Sequence, residues 1–396
     1  MDSLLIVFIT SFFVVLLSTP SLIKVAILKR LLDEPGGRKT HHRMIPTIGG
    51  IIIFAATIFS FALWFPCEKF FNTAGIGNTI SDLKYIAEVN HAENSMSDFK
   101  YILATMIILF FVGVKDDIIG TAAIKKLAAH ILVGLILVLM ANVRLTGLHG
   151  LFGILEIPFW ASVFLSLFTI IVIINAFNLI DGVDGLAGGV GFIVSVSLGL
   201  WFHFAGDKVM SILAFSLAGS LLAFLIFNFS PAKIFMGDSG SLTIGLIISI
   251  LAIRAVEYTK STQSDYQIIY DMSKPVFVMA VLAYPLVDTL RIFIYRTVRG
   301  ISPFSADRNH IHHQLKDYGF SDRKTVIIIY TANLLIIGLA VLLRKMDTSL
   351  QFLIIGSVVF VLANLPYLML RKRRSMRVVK DDDEEKLDGK LKTAKA

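Results

Sequence analysis

Asn175-Ala-Phe-Asn178-Leu-Ile-Asp181-Gly-Val-Asp184-Gly-Leu-Ala-Gly-Gly189 closes an apolar run that begins at Phe159. Run and closure together are long enough to cross a bilayer, which takes about 20 apolar residues. The polar side chains therefore emerge where hydrocarbon gives way to water. If the helix continues through them, Asp181 and Asp184 stand three residues apart on one face, with Asn178 one turn before Asp181. Ionisable groups at membrane depth are costly and are usually functional, so the cluster is a candidate phosphate-and-metal site. The competing reading is a turn between two helices, since Gly182 and Gly185 are natural turn residues.

Composition agrees with the membrane. Of 396 residues, 56% are hydrophobic and 17% charged, with a mean hydropathy of +0.76. That is more apolar surface than a soluble domain of this length can hide. The single cysteine, Cys67, excludes an intrachain disulfide and a cysteine-based metal cluster, so any metal must be held by oxygen or histidine. The net charge of +8 is no sign of nucleic acid: much of the basic excess flanks apolar runs and forms Arg371-Lys372-Arg373-Arg374.

Eleven apolar runs lie near 4–28, 47–66, 101–114, 127–143, 159–178, 187–205, 209–228, 241–258, 275–294, 325–343 and 350–370. The first has no charge before Lys24 and no cleavage site, and reads as an uncleaved span. The expected fold is all-α, a polytopic membrane bundle of about eleven helices. Its single domain covers 1–370, with a disordered basic-then-acidic tail over 371–396. Loops 29–46 and 295–324 are rich in Lys and Arg while 144–158, 206–208 and 344–349 are poorer, which puts the amino terminus outside and the carboxyl terminus in the cytoplasm.

With that topology five loops share the cytoplasmic side. The first holds Lys39 between Arg38 and His41, the second begins Lys115-Asp116-Asp117, and the third is the opening stretch. The fourth runs from Asn228 through Phe235-Met-Gly-Asp238-Ser-Gly-Ser241, and the fifth is Ser302-Pro-Phe-Ser-Ala-Asp307-Arg308-Asn-His310-Ile-His312-His313-Gln314. Asp238 offers the hard oxygen that magnesium prefers. Asp116 and Asp117 are adjacent and point apart, so at most one need face a site; as an acid pair they suit phosphate only beside cations. Lys39 reads most simply as a positive-inside anchor. The histidines suit phosphate or substrate contacts better than a metal tract without cysteine. Asp288 and Arg291, three apart on one helix, could pair with each other.

These motifs, in this order, resemble the polyprenyl-phosphate N-acetylhexosamine-1-phosphate transferase family, and most closely its bacterial WecA/TagO-like branch; residues from about 30 to 325 carry the resemblance. It implies an enzyme of the bacterial cytoplasmic membrane, with its site facing the cytoplasm. That enzyme transfers N-acetylhexosamine 1-phosphate, with GlcNAc the leading donor sugar, from the UDP-sugar to undecaprenyl phosphate. UMP leaves, and the lipid-linked diphosphate sugar starts a cell-envelope polysaccharide: O antigen, an enterobacterial-common-antigen-like glycan or a teichoic-acid-type glycan. The resemblance implies magnesium, or manganese in its stead, on Asp238 and Asn178, and Asp116 and Asp117 at the reaction centre. It assigns Asp181, Asp184 and Asn228 to the uridine, with Phe235 stacked on uracil, and His310, His312 and His313 to diphosphate and sugar. Lys39 and Arg308 would add positive potential. The partners are then the UDP-sugar, undecaprenyl phosphate and membrane lipid, with no nucleic acid and a homodimer left open.

The alternative within the family is the phospho-N-acetylmuramoyl-pentapeptide transferase of peptidoglycan synthesis. That branch has a histidine triplet, from which His312-His313-Gln314 departs. A transporter would gather its charges at mid-membrane depth, and a membrane scaffold would not need Asp238.

Overall fold

The structure, a computed structural model, describes residues 2–33, 44–66, 83–258, 269, 271–300 and 309–393. Helix α1 (Asp2–Leu28) leads into a short antiparallel pair, β1 (Leu32–Asp33) with β2 (Ile45–Pro46), in which Leu32 faces Pro46. There follow α2 (Gly49–Leu63), α3 (Leu83–Ile119) and α4 (Ala123–Leu135), the last prolonged by a wide turn over Ile136–Met140. The centre of the chain is α5 (Phe159–Ile180), α6 (Leu186–Ala205), α7 (Lys208–Asn228) and α8 (Gly237–Glu257). The rest is α9 (Lys274–Val281), α10 (Ala283–Val298), α11 (Ile311–Tyr318), α12 (Asp322–Leu342) and α13 (Thr348–Thr393), which carries on through the charged tail.

All eleven apolar runs lie on helices. By length and composition, eight helices among the described residues can cross a membrane, and nine if α9 and α10 are one span. Helix α2, with 15 residues, is shorter than the rest, and the run 101–114 is only the later part of the 37-residue α3.

The run 275–294 differs from a straight span. It bends by 76° between α9 and α10, and Pro285 supplies the reason. Proline has no N–H to give to the carbonyl four residues back, here that of Val281. Asn333 of α12 fills the gap: its Nδ2 donates to the Val281 carbonyl at 3.2 Å and its Oδ1 accepts from the Tyr284 N–H at 3.3 Å. One buried amide thus holds both sides of the bend.

Helix α8 is the axis of the bundle. Every residue from Ser239 to Ile253 is buried, as expected for a helix apolar on all sides, and α2, α3, α5, α6, α7 and α9 pack on it. Outer helices instead turn Phe13, Leu17, Phe164, Phe168 and Phe360 outward, toward where lipid would lie. Small residues let membrane helices approach closely. A Cβ added at Gly113 of α3 would sit 2.5 Å from Ser239 Cα, and one at Gly245 of α8 would sit 2.6 Å from Ile174 Cα of α5.

Replacing Asn333 by leucine leaves a buried N–H and a buried carbonyl unpaired, each costing about 1–3 kcal/mol. Thermal unfolding in detergent should show a clear fall in midpoint for Asn333→Leu. Gly338→Ala, with open space around it, should stay at the wild-type value; equal midpoints for the two would show that the bend does not depend on the amide.

Candidate active site

The start of α8 gathers the carboxylates. Gly237 has a left-handed backbone (φ 71°) and is hemmed in by the Thr47 carbonyl and the Asp117 carboxylate, so a side chain is excluded there on both counts. The first N–H groups of a helix have no partner within it. Asp117, reaching across from the end of α3, takes two of them: Oδ1 accepts from the Asp238 N–H at 2.6 Å and Oδ2 from the Ser239 N–H at 3.1 Å. Burial pushes the Asp117 carboxyl up to about 6, against the pull of the Ser239 and Asp238 hydrogen bonds.

Asp116 turns the other way yet returns to the same place. Lys126 of α4 bridges it to Asp238, with Nζ 2.7 Å from Asp116 Oδ2 and 2.6 Å from Asp238 Oδ2. Asn178, near the end of α5, lies beside the Asp238 carboxylate and donates to Ser241 Oγ at 3.0 Å. Asp181 caps α5. Burial, and then the charges of Asp238, Asp117 and Asp184, hold its carboxyl well above the usual carboxylate range. Crowded acids with raised proton affinity and one lysine between them form a donor set that fits a divalent cation.

Backbone bonds tie the remaining loops to this centre. Asn228 accepts from the Gly185 N–H at 3.0 Å and donates to the Ile234 carbonyl at 2.9 Å, while Asp184 Oδ2 accepts from the Ala232 N–H at 2.9 Å. The Phe235 N–H donates to the Pro46 carbonyl at 2.7 Å, and Gly49 and Gly50 donate to the carbonyls of Phe235 and Met236. The half-buried Phe235 ring therefore sits on a doubly anchored strand of loop.

The histidines come to the other side of the Asp181 turn. His310 and His312 are buried at the start of α11, their rings stacked 5.2 Å apart, with His313 4.4 Å from His312. A Cβ added at Gly182 would lie 3.7 Å from His312 Nε2. His310 Nδ1 is 2.8 Å from Asp288 Oδ2. Asp288, His310 and His312 bring three ligand atoms within 4.8 Å of one another, a second group that could hold a metal ion.

The structure thus brings Asp116, Asp117, Asn178, Asp181 and Asp238 around one point, with Asp184 and Asn228 bracing the turn behind and the histidines beside it. Lys39 and Arg308 lie outside the described residues. Asp288 and Arg291 both serve the histidine loop: Asp288 meets His310, and Arg291 donates to the Asn309 carbonyl at 2.7 Å. Lys126 is the residue that the sequence reading missed. Its one signal is position, since a cation in the first turn of a helix opposes the helix dipole and needs a reason to be there.

Residues 99–256 match the family described as glycosyl transferase family 4. The undecaprenyl-phosphate alpha-N-acetylglucosaminyl 1-phosphate transferase of Escherichia coli O157:H7 is 30% identical to this chain over 357 residues, covering 88% of this chain and 86% of that protein. The chain belongs to glycosyl transferase family 4. The probable undecaprenyl-phosphate N-acetylglucosaminyl 1-phosphate transferase of Bacillus subtilis (strain 168) is 31% identical, covering 90% of this chain and 89% of its own length. The corresponding protein of Yersinia pestis is 29% identical. The family 4 match includes the whole acid cluster and Lys126 and stops before the histidines, which only the full-length relatives reach.

Lys126 occupies the point where a cation would be drawn. Lys126→Met removes a positive charge next to Asp238, so Mn²⁺ followed by paramagnetic resonance should bind roughly tenfold tighter than in the parent. Weaker binding would mean that the Asp116–Lys126–Asp238 bridge matters more to the ion, through the shape it gives the site, than the repulsion of the lysine's charge.

Proposed function

We propose that this family 4 protein transfers N-acetylglucosamine 1-phosphate from UDP-GlcNAc to undecaprenyl phosphate, releasing UMP and starting a cell-envelope polysaccharide. The observation that carries the reading is the convergence of Asp116, Asp117, Asn178, Asp181 and Asp238 from three helices and a turn at one end of the bundle, around Lys126. The names of the relatives point the same way. Counting α2 and α3 as spans beside the nine gives eleven, with the amino terminus outside. The site then faces the cytoplasm of a bacterial inner membrane, where UDP-sugars are found.

The acceptor phosphate is already an anion and needs no strong base. The obstacle is bringing one phosphate to another against their charges. Asp238 and Asn178 would hold magnesium, which would neutralise diphosphate charge and stabilise the departing UMP. Lys126 holds Asp116 and Asp238 together and adds positive charge. Both oxygens of Asp117 are engaged by the start of α8, so Asp117 could become a covalent nucleophile only by releasing that helix end. This favours direct attack by the lipid phosphate. The Asp181–Gly185 turn, braced by Asn228, and the half-buried Phe235 ring would take the uridine.

The lipid tail has an apolar place beside this centre. A cavity of about 260 Å³ lies among α10, α11, α12 and α13, lined by Tyr284, Ile311, Leu315, Ala332, Ile336 and Leu362. It adjoins the histidine group through Tyr284 and Ile311.

Radiolabel from several UDP-HexNAc donors, offered with undecaprenyl phosphate in detergent, should pass to lipid from UDP-GlcNAc only when magnesium is present, and Asp238→Asn should abolish it. If no donor labels the lipid while the protein remains folded, the reading fails. Ala332→Trp should raise KM for undecaprenyl phosphate several-fold and leave a short-chain prenyl phosphate unaffected; equal effects on both acceptors would remove the tail from the cavity.

A further inference from the structure

Two buried polar side chains on α10 take no part in the acid cluster. Tyr284 and Asp288 stand one turn apart on the same face, just past the bend that Asn333 holds. Both meet the start of α11. Tyr284 Oη is 3.2 Å from His312 Nδ1, Asp288 Oδ2 is 2.8 Å from His310 Nδ1, and Asp288 Oδ1 accepts from the Ile311 N–H at 2.8 Å. The approach of Asp288 Oδ2 to His312 Nδ1, at 3.9 Å, is too long for a hydrogen bond.

These partners assign the protons. A carboxylate only accepts, so His310 carries its proton on Nδ1. A buried phenol needs an acceptor for its own proton. Among the described residues the one side-chain partner of Tyr284 Oη is His312 Nδ1, so the phenol donates there and the proton of His312 sits on Nε2. A ring that accepts on Nδ1 and carries its one proton on Nε2 is a neutral imidazole. Its Nε2 faces the Gly182 turn.

We propose that Tyr284 and Asp288 are positioning residues that set His312 and His310 in opposite tautomers, so that His312 presents a neutral Nε2–H donor to an oxygen of the UDP-sugar at the Gly182 turn. The proposal rests on the transferase reading. A neutral N–H at this turn can donate to a phosphate or sugar oxygen.

The test uses the full chain in detergent, labelled with ¹⁵N-histidine and assigned with His312→Gln. Wild type should show His312 protonated on Nε2 and bare on Nδ1, and Tyr284→Phe should show both tautomers. In transfer assays Tyr284→Phe should lower kcat about tenfold at nearly constant KM for the UDP-sugar, and Asp288→Asn should lower it at least as far, in the range that loss of an orienting partner produces, about 10- to 100-fold. His312 protonated on Nδ1 in the wild type, or a Tyr284→Phe enzyme with wild-type kcat, overturns the proposal. If Asp288→Asn does not fold, the wild-type spectrum and Tyr284→Phe still decide. A wild type with the expected spectrum that transfers nothing upholds the tautomers and refutes the transferase.

Discussion

Aspartate and asparagine are short, and everything at this site depends on bringing them together from different helices. Asp117 on α3 bonds directly to the backbone of α8, and Asn178 on α5 reaches both Asp238 and Ser241. Side chains of that length meet only if the helix backbones nearly touch, and Gly113 and Gly245 allow this by leaving no Cβ between them. The apolar core of α8 is therefore part of the site. It holds the axis against which α3 and α5 are pressed, and so keeps Asp117 and Asn178 within hydrogen-bond reach of the start of α8.

Much of this was legible in the sequence. The apolar runs gave the helices because a period-independent stretch of about 20 apolar residues has few other uses. The polar motifs were visible as a set because charge at the edge of hydrocarbon is costly and conspicuous. What could not be read was pairing across long separations. Pro285 announces a bend, but nothing in the sequence says that Asn333 repairs it. Asp288 and Arg291 have the spacing of a helical ion pair, and both are turned to the histidine loop instead. Asp116 and Asp117 point apart, as adjacent residues must, yet both end beside Asp238 because Lys126 from the next helix closes the circuit on one side.

The way Asp117 is used narrows how the centre can handle phosphate. A helix start is a ready anion site, through its free N–H groups and its dipole. In α8 the Asp238 and Ser239 N–H groups are already given to a carboxylate, so a phosphate arriving there meets an occupied cap and a ring of negative charge. Attraction must then come from cations placed among the acids. Lys126 is the one seen at the centre of the described residues, and a single lysine cannot balance Asp116, Asp117, Asp181 and Asp238 together. Burial first, and the neighbouring acids after it, hold the carboxyls of Asp117 and Asp181 up, and a divalent ion would relieve the crowding by supplying positive charge where the carboxylates converge. With α8 capped by a carboxylate, a bound metal would have to supply the charge that a bare helix end offers.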